Sequence, residues 1–271
     1  MAMVPARMRS SVLTASRRTL YSRSAQIRGS LDGTIGRIVI DNVDKRNAMT
    51  LNMYREVPAA AAAVREARVS VLTGAGSEAF GAGSDISEFS TVRTGRAAAA
   101  AYSEIEAAAS AALLDIPHPL LASVHGPCIG GGLNLALTAD IRFAADDATF
   151  CVPPARLGIG YPRDLMDLLV AAVGTMNAKD LLFTARVVGA QEALRLGLVS
   201  AVVPKAELDA HVGRAAASIA LLAPRTLIAA KALVHDRPGA EDLTAVCYES
   251  KDYAEGVRAF EEKRRPTFKG V

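Results

Sequence analysis

The chain has 271 residues, 51% of them apolar and 22% charged, the profile of a globular domain with a substantial core. Its formal charge of +3 is unevenly placed: residues 1–31 hold six arginines (7, 9, 17, 18, 23 and 28) and no acid, which leaves −3 for the other 240. A mildly acidic body argues against a nucleic-acid-binding domain. The absence of any run of 18 or more apolar residues argues against a membrane-spanning helix. Cys128, Cys151 and Cys247 are odd in number and widely spaced, which suits neither a metal site nor a disulfide framework and points to a reducing compartment.

The Arg- and Ser-rich start, taken as residues 1–29, has the composition of an organelle transit peptide and equally that of a disordered extension. The expected location is therefore cytoplasmic, with a mitochondrial matrix as the alternative. From residue 30 the chain reads as alternating strands and helices. A short strand at 36–40 leads through the polar loop Asp44-Lys45-Arg46-Asn47 to a helix over 50–67. A buried strand at 69–73 ends in Gly74-Ala75-Gly76, and a helix over 95–115 is stopped by Pro117 and Pro119. The strand 120–124 runs into Gly126-Pro127 and three glycines, and a helix follows at 131–138. Short strands at 141–144 and 149–151 flank an Asp-Asp turn, and one more strand at 198–203 interrupts the helices that follow Pro162. This order predicts an α/β fold with crossover connections. A core of 30–205 precedes a helical region of 206–271, whose stripe of Leu221, Leu222, Leu227, Leu233 and Val234 reads as core by default and otherwise as an oligomer contact.

Two glycine-rich loops sit behind strands: Phe80-Gly81-Ala82-Gly83-Ser84-Asp85-Ile86 and His125-Gly126-Pro127-Cys128-Ile129-Gly130-Gly131-Gly132. Glycine allows tight turns, and it also lets backbone N–H groups approach a ligand. One N–H from each loop, aimed at a single oxygen, would form an oxyanion hole. The segment Gly74-Ala75-Gly76-Ser77-Glu78-Ala79 fits the loose dinucleotide pattern, but no acid ends a second strand about 20 residues later.

Asp44-Lys45-Arg46-Asn47-Ala48-Met49 and the two glycine loops resemble, in order and spacing, three signatures of the crotonase (enoyl-CoA hydratase/isomerase) superfamily. So do Ala139–Ala144, Ala193–Val199 and the ending Phe260-Glu261-Glu262-Lys263-Arg264-Arg265-Pro266. The resemblance runs from about residue 30 to the C-terminus. It implies a spiral of ββα turns with C-terminal helices that build trimers or hexamers. It also implies an acyl-CoA substrate whose thioester oxygen lies between the N–H groups of Ser84 and Gly131. It places coenzyme A near Lys45, Arg46, Ala82, Asp85 and Ile86, and it calls for no other cofactor and no metal.

The two hydratase glutamates of that pattern fall here on Asn134 and Pro154. Positioned acid–base groups are worth about 10²- to 10⁴-fold in rate, and neither residue can exchange protons near neutral pH. Decarboxylation of a malonyl-CoA-type substrate needs an enolate but no base, so it becomes the favoured specific reaction. Asn134 would orient a carboxylate or water, and Tyr161 would donate a proton or hydrogen bond. The segment Leu157-Gly158-Ile159-Gly160-Tyr161 is similar to one in methylmalonyl-CoA decarboxylases; Tyr161 also fits a plain helix-entry residue. Glu88, Glu104 and Glu106 are the nearest spare carboxylates, read as exposed helix charges unless one supplies a relocated base. Asp164 reads as a helix-start charge, His125 as structural, and Asp85 as a brace for its loop. A member that binds acyl-CoA without turning it over is the alternative.

Overall fold

The computed structural model describes residues 25–271; the part of the Arg-rich tail up to residue 24 lies outside the described residues. The chain forms strands β1 (Gln26–Asp32), β2 (Ile35–Asp41), β3 (Val69–Gly74), β4 (Leu120–Val124), β5 (Pro127–Ile129), β6 (Ile141–Ala145), β7 (Thr149–Cys151), β8 (Val188–Gly189) and β9 (Ala201–Val203). Between them run α1 (Leu51–Ala63), α2 (Phe89–Val92), α3 (Gly95–Leu114), α4 (Gly131–Leu137), α5 (Pro154–Leu157), α6 (Arg163–Thr184) and α7 (Ala190–Leu196). The end of the chain is helical: α8 (Leu208–Ala220), α9 (Pro224–Val234), α10 (Ala240–Tyr248) and α11 (Lys251–Glu261).

Six strands make one sheet in the order β1-β2-β3-β4-β6-β9, parallel throughout except that β1 pairs antiparallel with β2. A parallel sheet is covered on both faces, and the alternation of side chains shows how. Ile38, Ile40, Leu72, Ala122 and Val124 face one core together with α1, α3 and α4. Val69, Val71, Leu121 and Ala145 face the other, beneath Leu208, Val212 and Ala216 of α8. A second sheet, β5-β7-β8, lies beyond the first core. Bridges Met49↔Ser84 and Gly81↔Cys128 extend it toward the loops that follow β2 and β3. Strands β2, β3, β4 and β6 of the large sheet are each followed by a short extended piece in the second layer before the chain crosses back. That repeat is the spiral of ββα turns, and with the C-terminal helices it is the crotonase-type α/β fold.

Three readings of the sequence change. The fold begins at Gln26 rather than at residue 30. Strand β1 has only one fully buried side chain and so no strong apolar signal; its ladder to β2, the turn at Gly33 (φ 57°) and an Arg28–Asp41 ion pair of 2.5 Å hold it. The strand expected at 198–203 is only Ala201–Val203, because Leu198 and Ser200 belong to the turn after α7, where Gly197 is left-handed. The stripe on α8 and α9 is not core: Leu221, Leu222, Leu233 and Val234 are all exposed, and so are Tyr248, Tyr253 and Phe260. No single helix among the described residues is long and apolar enough to cross a membrane.

The helical end is tied to the sheet by a buried cation. Lys231 on α9 pairs with Asp140 at 2.8 Å and donates to the carbonyl of His118 at 3.0 Å, while Asp140 accepts the Leu120 N–H at 2.7 Å. Lys231 is the buried partner, and Asp140 reaches solvent. Lys231→Met is expected to cost about 1.5–3 kcal/mol in urea unfolding, the range for losing hydrogen bonds to a charged group. Arg163→Ala, which breaks only an exposed pair with Asp167, should change stability by less than about 0.5 kcal/mol in the same assay.

Candidate active site

The site forms where the loop after β3 lies against the loop after β4. Gly81 exchanges two main-chain bonds with the second loop, donating to Pro127 O (3.0 Å) and accepting from Ile129 N (2.9 Å). Gly83 O accepts Met49 N, and Asp85 N donates to Met49 O, each at 2.7 Å. Gly130 N donates to Cys151 O at 2.9 Å. These bonds use the neighbouring groups and leave the N–H of Ser84 and of Gly131 without a protein acceptor among the described residues. Gly131 is the first residue of α4, where helical N–H groups have no intrahelical partner. The two groups lie close: a β-carbon at Gly131 would stand 3.3 Å from Ser84 N. Such a pair can bind one developing negative charge on oxygen.

Two glycines are required by contact. A β-carbon on Gly131 would meet the Tyr54 hydroxyl at 2.0 Å, and one on Gly132 would meet Gly81 O at 2.4 Å. The second is main chain and cannot yield, so Gly132 sets how closely the loops approach.

Ser84, Gly131, Asn134 and Tyr161 all line one small cavity of about 90 Å³, together with Arg93 and Glu106. It shares Ile86, Phe89, Leu157 and Ile159 with a wider groove of about 610 Å³ between α3 and the 157–160 loop. Tyr161 donates its hydroxyl to Asn134 Oδ1 at 2.7 Å, which leaves the Asn134 amide N–H groups to donate elsewhere. Burial raises the Tyr161 phenol well above its ordinary value. Pro154 also lines the cavity, without a functional group, as the first residue of α5.

Of the residues expected around coenzyme A, Ala82 and Ile86 line the cavity, and Lys45, Arg46 and Asp85 are bonded to the same loop without lining the cavity. Lys45 pairs with Asp85 at 2.6 Å and stays half exposed; the bond to Asp85 raises its ammonium pKa. Burial works against the Asp85 carboxylate, but bonds from Lys45 and Ser87 outweigh it and hold that group below its ordinary value. Arg46 is left-handed (φ 52°), and its carbonyl accepts Ala82 N at 3.0 Å. Ala82 and the exposed Ile86 border the cavity. Asp85 braces its loop through Ser87 N as expected, and the carbonyl of His125 accepts Phe80 N. Asp164 is exposed. Among the described residues no cluster of His, Cys, Asp and Glu could hold a metal ion.

Glu106 corrects the sequence reading. It is not an exposed helix charge but 7% exposed, on the inner face of α3 with Tyr102, Ala109, Ser110 and Leu113. Its Oε1 accepts the Ser84 hydroxyl at 3.3 Å, and its Oε2 lies 3.6 Å from Arg93. Burial raises the Glu106 pKa, opposed in part by Arg93 and by the Ser84 bond. The 102-106-109-113 spacing is that of one helix face and was the signal for it in the sequence. Glu104 is exposed, and Glu88 accepts Leu51 N at 2.9 Å at the start of α1.

Two interlocked strand layers, with the unpaired N–H groups of Ser84 and Gly131 close together between their loops, are the arrangement that the crotonase resemblance implies. Comparison with known proteins agrees. The family model described as enoyl-CoA hydratase/isomerase matches residues 31–271. A carnitinyl-CoA dehydratase of Escherichia coli (strain K12) is 33% identical over 220 residues, 75% of this chain and 82% of that protein. The peroxisomal Delta(3,5)-Delta(2,4)-dienoyl-CoA isomerase of Arabidopsis thaliana is 32% identical over 228 residues, 79% of this chain and 82% of that one. Among solved structures, an enoyl-CoA hydratase/carnithine racemase from Magnetospirillum magneticum aligns with a TM-score of 0.85 at 33% identity, covering 90% of this chain and 96% of its own. The chain belongs to the enoyl-CoA hydratase/isomerase family.

The contact at Gly131 can be tested by rescue. Gly131→Ala should lower stability by about 1–3 kcal/mol through overpacking and weaken thioester binding. Adding Tyr54→Phe, which removes the clashing hydroxyl, should restore part of both; thermal melts and calorimetric titration with butyryl-CoA measure them.

Proposed function

We propose that the protein acts on an acyl-CoA thioester, holds its enolate oxygen with the N–H groups of Ser84 and Gly131, and moves a proton at carbon with Glu106. The observation that carries this reading is the buried Glu106 carboxylate beside Ser84, whose own N–H is one of the two oxygen donors. Each donor contributes about 3–4 kcal/mol to an oxyanion, and a carboxylate with a raised pKa is a better base than an exposed one.

One carboxylate suits a double-bond shift better than hydration. Glu106 takes a proton from C2 of a 3-enoyl thioester, and the electron pair spreads into a dienolate whose oxygen rests on Ser84 and Gly131. The same carboxylic acid returns the proton to C4. The double bond has moved from C3–C4 to C2–C3, Glu106 is a carboxylate again, and no further cofactor takes part. Hydration needs a second group for the water, and Asn134 and Pro154 supply none. Lys45 and Arg46 offer charge to the phosphates of coenzyme A. The exposed Leu221, Val234, Tyr248 and Phe260 support self-association as a trimer or hexamer, the arrangement the family resemblance implies.

Decarboxylation of a malonyl-CoA-type substrate is the second reading. It is favoured by the Tyr161–Asn134 bond, which turns the Asn134 amide donors free to hold a carboxylate. Against it, a charged Glu106 repels that carboxylate. Incubation in parallel with 3-hexenoyl-CoA, crotonyl-CoA and methylmalonyl-CoA, followed by NMR, separates the readings. The expected result is 2-hexenoyl-CoA with the other two esters unchanged. Propionyl-CoA would install the decarboxylase instead, 3-hydroxybutyryl-CoA a hydratase, and no product from any ester a binding protein.

Two outcomes follow for Glu106. Glu106→Gln should lower kcat for isomerisation by about 10²- to 10⁴-fold. Because the base acts as a carboxylate, wild-type kcat should fall as pH drops through the Glu106 pKa. Burial raises that pKa, so the acid limb should lie above the ordinary glutamate value of about 4.3.

A further inference from the structure

The structure places a second charged side chain against Glu106 and packs it more tightly than an ion pair alone requires. Arg93 stands at the end of α2, only 11% of its side chain exposed. Its guanidinium lies 4.5 Å from the ring centre of Tyr102 and 5.2 Å from that of Phe89. Those two rings meet edge to face at 5.7 Å. A cation held by aromatic faces is fixed in place and partly stripped of water, so its charge acts on a neighbour with little screening.

We propose that Arg93 is a positioning residue for Glu106, taking Oε2 so that Oε1 faces Ser84 and keeping the carboxylate in its charged, proton-accepting form. This rests on the reading of Glu106 as the proton carrier. The two carboxylate oxygens are divided: Oε1 receives the Ser84 hydroxyl, and Oε2 faces Arg93. Ser84 thereby serves twice, with its N–H toward the substrate oxygen and its hydroxyl toward the base. Tyr54 closes the chain from behind, 2.9 Å from Ser84 Oγ.

The groups around Glu106 come from several elements and do not all act in one direction. Arg93 and the Ser84 and Tyr54 hydroxyls favour the carboxylate, while Asp164 at the start of α6 opposes it through its negative charge. Tyr102 and Tyr161 also feel Glu106; both phenols are raised, mainly by burial, Tyr102 to about 12, and stay neutral across the working range. Glu88 acts on Tyr102. Arg93 is the positive charge among these groups, so its removal has a defined sign.

The test is the midpoint of Glu106 titration. It is read by NMR in full-length protein carrying [δ-¹³C]glutamate, with the signal assigned by its loss in Glu106→Gln. Arg93→Met should move the midpoint to higher pH, and Arg93→Lys should return it toward wild type. Arg93→Gln, which keeps the stem and removes the charge, should also move it to higher pH and serves as the variant if Arg93→Met does not fold. In kinetics, the acid limb of kcat should follow the same shifts with KM little changed. An unmoved midpoint in Arg93→Met, or in Arg93→Gln should Arg93→Met not fold, would overturn the proposal. Full activity in Glu106→Gln would instead overturn the reading on which it rests, while the NMR shift with Arg93 would persist.

Discussion

The site depends on the main-chain exchange between Gly81 and the segment Pro127–Ile129. Those two bonds dock the loop after β3 onto the loop after β4, and the lack of a side chain on Gly132 lets them close to contact. Everything useful follows from which N–H groups remain. The N–H groups of Gly81, Ala82, Asp85 and Gly130 are engaged by neighbours, and those of Ser84 and Gly131 are not. The two groups lie close together without a ligand, and donors fixed in advance are the most effective kind for the oxyanion of the proposed reaction.

Around this fixed point the side chains divide the work. α3 brings Glu106 in from one side, and α4 with the loop before α6 brings Asn134 and Tyr161 in from the other. A buried carboxylate is costly unless paired, and Arg93 together with the Ser84 hydroxyl supplies the compensation. The Arg93 guanidinium is in turn held by Phe89 and Tyr102. In the proposed function the acid–base group stands on α3 rather than at the positions of Asn134 and Pro154, and the two oxygen donors stand on the loops that the fold docks together.

Much of this could be read in the sequence. The strands at 69–73 and 120–124 were plain because both faces of the sheet are buried and apolar residues dominate each run. The two glycine loops were legible because each places glycines directly behind a strand, and Gly132 is required there by its contact with Gly81 O. Strand β1 was hidden, since most of its residues are exposed and its stability comes from backbone pairing, which leaves no hydrophobic signature. Glu106 was read only as one of three spare carboxylates, and its burial was missed for a different reason. In an Ala-rich helix with a weak apolar stripe, its position on the buried face rests on tertiary packing against Tyr54, Ser84 and Arg93, and Ser84 lies 22 positions away along the chain. The exposed stripe of α8 and α9 was misread because apolar periodicity marks a covered face without saying what covers it.

The central claim is that Glu106 and the Ser84–Gly131 pair together generate an enolate. It is tested most directly by hydrogen exchange at C2 of saturated butyryl-CoA in D₂O, followed by proton NMR with the full-length protein. No product forms, so the signal reports proton abstraction alone. The account predicts loss of the C2 protons with wild-type protein and retention with Glu106→Gln. Exchange at the wild-type rate in Glu106→Gln, or no exchange in either protein, would contradict it.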